Sequence, residues 1–138
     1  VSGCDLRCPQ CFNKEAQNFK AGNLFTPEDF QFLMGSVANP HCAGLSVLGG
    51  EPMHEKNLPA VAEIIGKVRE QFGHTKNIWL WSGYTLEELR ERYDILTDYV
   101  LAGIDVLVDG RFVQELKDPT LKFRGSSNQR ILKQGKDF

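Results

Sequence analysis

Three cysteines near the start of the chain have the type and spacing that metal chemistry requires. Cys4, Cys8 and Cys11 form a C-x₃-C-x₂-C pattern, and so short a loop can turn all three sulfurs toward one point. Soft thiolate ligands select iron–sulfur clusters or zinc. A structural zinc site takes four protein ligands, whereas three cysteines on a four-iron cluster leave one iron free. The pattern therefore predicts a 4Fe–4S cluster with an open iron; three ordinary buried or oxidised cysteines are the alternative.

A second motif, Gly49-Gly50-Glu51-Pro52, follows a short apolar run and fits beside such a cluster. Two glycines let the backbone approach a ligand closely, so that carbonyl oxygens accept from an ammonium group, and Glu51 adds a negative charge there. An amino acid head group is a bidentate ligand for an open iron, and S-adenosylmethionine carries one beside its sulfonium. The motif therefore predicts that S-adenosylmethionine binds here; a plain turn between strand and helix is the alternative.

Periodicity and capping signals predict the elements that must position these motifs. Helices are predicted from Thr26-Pro27 to Asn39-Pro40, over residues 58–72, and from the capping box Thr85-Leu86-Glu87-Glu88 onward. The third helix is expected to face inward through Leu86, Leu89, Tyr93 and Leu96. Short apolar runs predict strands over residues 45–48, 78–81 and 104–108, with a possible short strand at Ile131-Leu132.

The alternation of strands and helices predicts an α/β protein with parallel strands, because a parallel pair needs a long crossover connection. Such proteins place their sites at the carboxyl ends of the strands. Those ends carry, in chain order, the cysteine loop, Gly49-Gly50-Glu51, Ser82-Gly83-Tyr84 and Asp109-Gly110. We therefore expect these four motifs to meet at one edge of the sheet.

Length and composition set the wider limits. The 138 residues suit a single domain over residues 1–138, and 41% hydrophobic and 25% charged residues are ordinary values for a soluble globular protein. A net charge of −2 gives no indication of nucleic-acid binding, and no apolar run approaches the roughly 20 residues that span a bilayer. We expect a soluble, cytoplasmic protein. Val1-Ser2-Gly3 is typical of the end of a strand, so a first strand is expected to be largely missing from this chain.

Together these motifs resemble those of the radical S-adenosylmethionine enzymes, which combine the three-cysteine loop with Gly-Gly-Glu-Pro after the next strand. More narrowly, the chain is similar to the enzymes that activate anaerobic ribonucleoside-triphosphate reductase. The narrower resemblance rests on Cys-Pro-Gln-Cys-Phe-Asn, Leu-Phe-Thr, Ile-Trp-Leu-Trp-Ser-Gly-Tyr, Val-Asp-Gly-Arg-Phe and Arg-Gly-Ser-Ser-Asn-Gln, which reach from residue 8 to residue 129. It implies a single radical S-adenosylmethionine domain whose fold is an open, incomplete (β/α) barrel-like parallel sheet, N-terminally truncated in this chain.

The resemblance also implies a function. A reduced cluster would cleave S-adenosylmethionine, and the 5′-deoxyadenosyl radical would abstract a hydrogen from one glycine of the reductase, leaving a glycyl radical. The implied cluster ligands are Cys4, Cys8 and Cys11. The implied cofactor-binding residues are Cys11, with Gln10 and Phe12 on either side of it along the adenosyl part, Gly49, Gly50 and Glu51 at the methionine end, and Ser82 near the ribose. Many superfamily members carry an aromatic residue directly before the third cysteine, where this chain has Gln10.

The implied partners are the large subunit of the reductase, as protein substrate, and an electron donor such as a flavodoxin. Two alternatives stay open. One is an activase of a different glycyl-radical enzyme. The other is a non-catalytic iron–sulfur or zinc-binding protein, such as an electron carrier.

Other residues that suggest chemistry have simpler explanations. Cys42 is expected to be a small core residue and not a fourth ligand. His54 and His74 are expected to be ordinary surface histidines. Trp79 and Trp81 belong to a continuous apolar run, which predicts core packing.

Three charged residues keep two interpretations each. Asp105, inside a predicted strand, is either paired with a neighbour or faces the cleft. Arg124 and Arg130 either contact a partner or cofactor or belong to a solvated loop.

Overall fold

The computed structural model describes residues 1–138 and contains four α-helices and four β-strands. The helices are α1 (Pro27–Ala38), α2 (Leu58–Phe72), α3 (Leu86–Arg90) and α4 (Ile95–Gly103). The strands are β1 (Gly44–Val47), β2 (Asn77–Trp81), β3 (Val106–Asp109) and β4 (Arg130–Lys133). Short 3₁₀ helices occur at Glu15–Gln17 and Gln114–Leu116. The predicted strands and the first two predicted helices are confirmed, with small shifts at their ends.

The four strands form one mixed sheet in the order β1-β2-β3-β4. β1 pairs with β2, and β2 with β3, in parallel, so that Leu80 lies beside Leu107. Each parallel pair is joined by a helical crossover, α2 in the first case and α3 with α4 in the second. β4 returns antiparallel to β3 and places Arg130 beside Asp109. The carboxyl ends of the three parallel strands therefore lie at one edge.

Local side-chain caps fix where α1 and α3 begin. The Thr26 hydroxyl accepts from the Asp29 N–H at 3.2 Å, and the Asp29 carboxylate accepts from the Thr26 N–H at 2.9 Å. Thr85 and Glu88 make the same reciprocal pair at the start of α3, at 3.2 and 2.8 Å. Each pair satisfies N–H groups that a helix start leaves without partners. None of the helices combines the length and the apolar character required to cross a lipid bilayer.

The third predicted helix is interrupted, and its predicted inner face is partly wrong. α3 ends at Arg90, and Tyr93 has a left-handed φ of 51°. The Asp94 carboxylate then accepts from the Thr97 N–H at 2.9 Å and starts α4 as a new helix. Because the chain turns between the two helices, Tyr93 is 91% exposed and Leu96 38% exposed. Leu86 and Leu89 are buried as predicted.

All four helices pack on the same face of the sheet. Their inner residues form one buried core with Ile78, Leu80 and Leu107 of the central strands. Alternate side chains of a strand point to opposite faces, so Trp79 and Trp81 point away from this core. Both tryptophans are only partly buried. The prediction that they belong to the core was wrong, because helices cover only one face of β2.

On that second face the two tryptophans form an aromatic surface with Phe123, here called the aromatic face. The rings of Trp79 and Trp81 stack with centroids 5.6 Å apart, and Phe123 lies 4.9 Å from Trp79. The Trp81 Nε1–H donates to the Phe123 carbonyl at 2.7 Å. A groove of about 380 Å³ runs along these rings and the outer side of β1.

Candidate metal centre and its surroundings

Backbone hydrogen bonds hold the cysteine loop against the first 3₁₀ helix. The Gly3 N–H donates to the Ala16 carbonyl at 2.7 Å, and the Cys4 N–H donates to the Gln17 carbonyl at 3.1 Å. Beyond this anchor the chain reverses at Arg7 and Gln10, whose φ angles of 48° and 59° lie in the left-handed region. Such angles are uncommon for residues with a side chain. The loop is therefore anchored at its start and tightly turned between its cysteines.

The three thiols of this loop are free and half-buried. Burial raises the pKa of Cys4, and the negative charges of Glu51 and Cys8 raise it further, against the lowering effect of nearby backbone N–H groups. Cys4 therefore lies within electrostatic reach of both the second cysteine and the Gly-Gly-Glu motif.

Cys8 is affected both by another cysteine of its own loop and by the segment that follows β3. Burial raises the pKa of Cys8, the Phe112 backbone N–H acts in the opposite direction, Cys11 raises it, and the Arg111 guanidinium lowers it. Phe112 and Arg111 belong to the segment that follows β3. Cys8 is thus the cysteine at which the loop meets the end of a central strand.

This donor set fits an iron–sulfur cluster. No three His, Cys, Asp or Glu side chains lie close enough together to hold a single metal ion directly. In a four-iron cluster each cysteine binds a different iron, so the sulfurs surround the cluster and do not meet at one ion. Three free, neighbouring thiols on one loop match that requirement.

The Gly-Gly-Glu motif pairs with the first residues of the chain. The Val1 amino group donates to the Leu48 carbonyl, the Gly50 N–H to the Val1 carbonyl and the Glu51 N–H to the Gly3 carbonyl, each at 2.8 Å. A Cβ atom on Gly50 would overlap the carbonyl oxygens of Gly3 and Ala16. The glycines are therefore needed for the close packing of two backbone segments.

The carbonyl oxygens of Gly49 and Gly50 accept no hydrogen bond in the structure. They are the backbone acceptors that the sequence motif predicts for an ammonium group. The second glycine therefore has two separable features, a tight packing contact on its Cα and a carbonyl without a partner.

Glu51 ties the end of β1 to the end of β2. It is 1% exposed, and its Oε1 accepts from the Met53 N–H at 2.9 Å and the Ser82 hydroxyl at 2.8 Å. Its Oε2 accepts from the Gly83 N–H at 2.7 Å. Burial raises the pKa of Glu51, and these donors oppose the rise. Both Glu51 and Ser82 therefore have partners inside the protein, and the structure brings these two site residues together.

The strand-end motifs meet at one edge, as predicted. Besides the contact of Glu51 with Ser82 and Gly83, the Gly110 N–H donates to the Tyr84 carbonyl at 3.3 Å. The Asp109 carboxylate accepts from the Leu86 N–H at 2.7 Å. The end of β3 is thus joined to the end of β2, which is joined to the end of β1.

His54 belongs to this region, although the sequence predicted no role for it. It is 7% exposed, and its Nε2 lies 2.9 Å from the Asp5 carboxylate, within the cysteine loop. Its Nδ1 accepts from the Lys56 N–H at 3.2 Å, so Nε2 carries the proton and donates to Asp5. The prediction of a surface histidine was wrong, because the chain after Pro52 turns inward and buries the ring against Phe19. Its position two residues after a predicted ligand motif was the only available signal.

Two guanidinium groups lie near one aromatic ring, that of Tyr84, beside the cysteine loop. Arg92 stacks on Tyr84 at 4.1 Å from the ring centroid, and Arg111 lies at 5.6 Å. A groove of about 570 Å³ borders this ring and is lined also by Asp5 and His54. The groove has polar walls and opens directly beside the cysteine loop.

The remaining predicted site residues lie apart from these contacts. Gln10 is exposed and Phe12 is 95% exposed, and neither makes a hydrogen bond or an aromatic contact. Cys42 lies at the opposite edge of the sheet, where its thiol donates to the Gly44 carbonyl at 3.3 Å. That location agrees with the prediction that Cys42 is not a fourth ligand.

Comparison with known proteins supplies the context for this geometry. Residues 1–132 match the family described as a 4Fe-4S single cluster domain. The chain is 41% identical over 133 residues to the anaerobic ribonucleoside-triphosphate reductase-activating protein of Vibrio cholerae, covering 95% of this chain and 83% of that protein. No solved structure matches the chain.

Two further relatives carry the same name. The protein of Escherichia coli K12 is 39% identical over 131 residues, covering 94% of this chain and 82% of its own length. The protein of enterobacteria phage T4 is 33% identical over 132 residues, covering 95% and 79%. The similarity therefore extends over the cysteine loop, the strand ends and the segment after β3 alike.

Proposed function

Because this chain belongs to the family of anaerobic ribonucleoside-triphosphate reductase-activating proteins, we propose that it generates a glycyl radical on such a reductase. When bound, the cluster supplies one electron that cleaves S-adenosylmethionine to methionine and a 5′-deoxyadenosyl radical, which takes a hydrogen atom from one glycine of the reductase. The protein is then a radical S-adenosylmethionine oxidoreductase that works in the cytoplasm, with neither nucleic acid nor membrane in its reaction.

One observation carries this proposal. Relatives that share this name match about 95% of the chain, and the family model covers residues 1–132, which include the cysteine loop, Gly49–Glu51 and Ser82–Tyr84. The hydrogen bonds from Ser82 and Gly83 to Glu51 support the proposal further, because they bring two motifs that are distant in sequence to the same place.

Cys4, Cys8 and Cys11 would hold the cluster through three of its irons. Their loop supplies soft ligands, a fixed start at the first 3₁₀ helix and partial burial. Their partial burial would limit the access of water to a bound cluster. These features support the cysteines as ligands.

The unpartnered carbonyls of Gly49 and Gly50 would accept from the ammonium group of S-adenosylmethionine. Glu51 would contribute its negative charge at this place and hold Ser82 and Gly83 at the next strand end. Gln10 and Phe12, on either side of Cys11, would lie along the adenosyl part of the cofactor. The exposure of Gln10 and Phe12 leaves both side chains free to contact a ligand.

The reductase would approach the aromatic face, which no helix covers. We propose that the sheet is part of an open, incomplete (β/α) barrel, so that a glycine-bearing loop of the reductase reaches the cofactor from this side. Trp81 is the last residue of β2 and directly precedes Ser82, which places the aromatic face next to the strand-end motifs. The electron would come from a small redox protein such as a flavodoxin.

Anaerobic reconstitution followed by incubation with dithionite and S-adenosylmethionine tests the chemistry. We expect a brown protein that releases methionine and 5′-deoxyadenosine, and we expect Cys8→Ser to lose both the colour and the products. Cys42→Ser is the matched control, since this cysteine lies at the opposite edge of the sheet and should not affect either. A colourless zinc protein, or a loaded protein that leaves S-adenosylmethionine intact, would contradict the proposal.

A further inference from the structure

Residues 53–57, which follow the Gly-Gly-Glu motif and lead into α2, are here called the bracing turn. Backbone hydrogen bonds close this turn, from the His54 N–H to the Glu51 carbonyl at 3.1 Å and from the Asn57 N–H to the His54 carbonyl at 2.9 Å. Two of its side chains, those of His54 and Asn57, reach the start of the cysteine loop. The proposed function gives neither side chain a role.

The Asn57 amide joins the cysteine loop to the Gly-Gly-Glu motif. Its Nδ2–H groups donate to the Gly3 carbonyl at 3.2 Å and to the Glu51 carbonyl at 2.9 Å. Asn57 occupies the N-cap position of α2, where an asparagine side chain commonly accepts from N–H groups of its own helix, yet it makes no such bond. The side chain therefore makes its contacts outside its own helix, with the residue before Cys4 and the residue after Gly50.

His54 holds the residue on the other side of Cys4. Its Nε2–H donates to the Asp5 carboxylate at 2.9 Å, and its Nδ1 accepts from the Lys56 N–H at 3.2 Å. The imidazole is buried, whereas the Asp5 side chain is 65% exposed. Because both ring nitrogens have partners, the buried ring has a fixed orientation and holds the exposed Asp5 side chain in place.

Phe19 packs between the bracing turn and the start of the cysteine loop. Its ring centroid lies 4.6 Å from that of His54. The same ring lies so close to Gly3 that a Cβ atom on Gly3 would overlap it. Gly3 is therefore held by packing as well as by the hydrogen bond from Asn57.

The bracing turn thus connects the first proposed cluster ligand to the backbone that would bind the cofactor. Gly3 and Asp5, which it holds, lie directly before and after Cys4. The same turn supplies two donors to the Glu51 carbonyl, whereas the carbonyls of the two preceding glycines accept none. One short segment therefore fixes both the Cys4 backbone and the end of the Gly-Gly-Glu motif.

We propose that His54 and Asn57 are positioning residues, which fix Cys4 relative to the carbonyls of Gly49 and Gly50. A ligand that binds the open iron and also donates its ammonium group to these carbonyls needs both sites at a constant separation. Groups that are already in place bind such a ligand more tightly, because no ordering cost is paid on binding. The bracing turn would thereby increase the affinity for S-adenosylmethionine. The inference rests on the cluster and the cofactor of the proposed function.

Equilibrium dialysis of labelled S-adenosylmethionine against the anaerobically reconstituted protein, without reductant, tests the inference in the absence of turnover. Asp5→Ala and Asp5→Asn both remove the carboxylate charge, but only Asp5→Ala removes the acceptor of His54. We expect Asp5→Ala to keep the iron content of the wild type and to bind S-adenosylmethionine about tenfold more weakly, the effect of one lost hydrogen bond to a buried group. Asp5→Asn should bind nearly as tightly as the wild type. Equal affinities of these two variants would overturn the role of His54.

Asn57→Asp keeps the size of the side chain but cannot donate to the two carbonyls. We expect it to weaken binding of S-adenosylmethionine about tenfold, although its negative charge would attract the cationic cofactor. Asn39→Asp is the matched control, since the Asn39 side chain only accepts, from the His41 N–H at 2.9 Å, at the far edge of the sheet. The control should bind as the wild type does. Wild-type affinity in Asn57→Asp would overturn the role of Asn57.

Iron content separates positioning from assembly of the cluster. Loss of iron from Asp5→Ala and Asn57→Asp would show that the contacts are needed to hold the cluster itself, and it would overturn the positioning role. A wild-type protein that binds iron but no S-adenosylmethionine would overturn the proposed function. A wild type that binds S-adenosylmethionine with the same affinity as every variant would overturn the bracing turn alone.

Discussion

At the scale of single residues, most polar groups that looked functional are paired inside the protein. Asp105 is the clearest case, because its Oδ2 accepts from Arg69 at 2.5 Å and from the Ile78 N–H at 2.7 Å. Although burial opposes the shift, these donors lower the pKa of Asp105. The structure therefore selects the paired interpretation of this residue. Arg124 and Arg130 are likewise engaged with protein groups.

Asp105→Asn should reduce the free energy of unfolding at pH 7 by about 1–3 kcal/mol, since it removes a charged hydrogen-bond partner. The folded-state pKa of Asp105 is lowered, so its contribution is complete above the ordinary aspartate value of about 3.9 and is lost as pH falls through the lower folded value. The difference between variant and wild type in urea unfolding should accordingly shrink in acid. Glu70→Gln, in an exposed pair with Lys67, is the control and should leave stability almost unchanged, because solvent screens such a pair. A pH-independent difference would contradict this account.

Gly50 is needed for backbone packing, so a substitution there cannot test cofactor binding alone. A methyl group at this position overlaps two carbonyl oxygens, so we expect Gly50→Ala to lower the free energy of unfolding by about 1–3 kcal/mol or more. Loss of activity in such a variant would therefore not report on cofactor binding. Gly35→Ala, in α1 with open space around it, should instead stabilise by about 0.5–1 kcal/mol. Thermal unfolding of both variants checks the opposite signs, and a stable Gly50→Ala protein would refute the packing role.

At the scale of elements, the sequence predicts features that depend on neighbouring residues, such as helix starts. It does not predict features that depend on contacts between distant residues. The capping residues Thr26 and Thr85 predict the starts of α1 and α3, because a cap acts on the N–H groups of its own first turn. The interruption between α3 and α4 at Tyr93 could not be predicted, because the helical spacing of apolar residues continues across it. The partner of Asp105 lies 36 residues away, and the partner of His54 lies 49 residues away. Whether one face of β2 or both are buried likewise depends on where the helices pack, which the strand's own sequence does not show.

Thr26→Ala should cost about 1 kcal/mol of stability, because it leaves the Asp29 N–H without its side-chain acceptor and breaks the reciprocal pair. Ser36→Ala is a control on the same helix, since its hydroxyl bonds only to the Phe32 carbonyl one turn earlier. That change should stay within about 0.5 kcal/mol. Urea unfolding of the wild type and both variants checks this, provided that the free energy of unfolding falls with the same slope against urea concentration in all three. Equal losses of stability in both variants would show that the cap is not the cause.

At the scale of the whole molecule, the sheet has two different faces. One carries the core and all four helices. The other carries the aromatic face, beside the edge at which the strand-end motifs meet. Sequence motifs predicted the edge, because the carboxyl ends of parallel strands meet there. They did not predict the aromatic face, since an apolar run looks the same whether one or both of its sides are covered.

Trp79→Ala should weaken the productive encounter with the reductase if the aromatic face receives it. Truncating an aromatic anchor typically costs about 2 kcal/mol or more, so the reductase concentration for half-maximal radical formation should rise more than about tenfold. Tyr93→Ala removes an exposed aromatic ring on the helical side and should leave that concentration unchanged. Equal values for both variants would exclude the aromatic face as the docking surface.

As a member of this family, the chain is expected to place a radical on a glycine of a reductase. Electron paramagnetic resonance of an anaerobic mixture of the reconstituted protein, reductant, S-adenosylmethionine and an anaerobic ribonucleoside-triphosphate reductase tests it most directly. We predict a glycyl-radical doublet on the reductase that disappears when Cys4→Ser replaces the wild type and persists with Cys42→Ser. A loaded, reduced protein that cleaves S-adenosylmethionine but leaves the reductase without this doublet would contradict the claim.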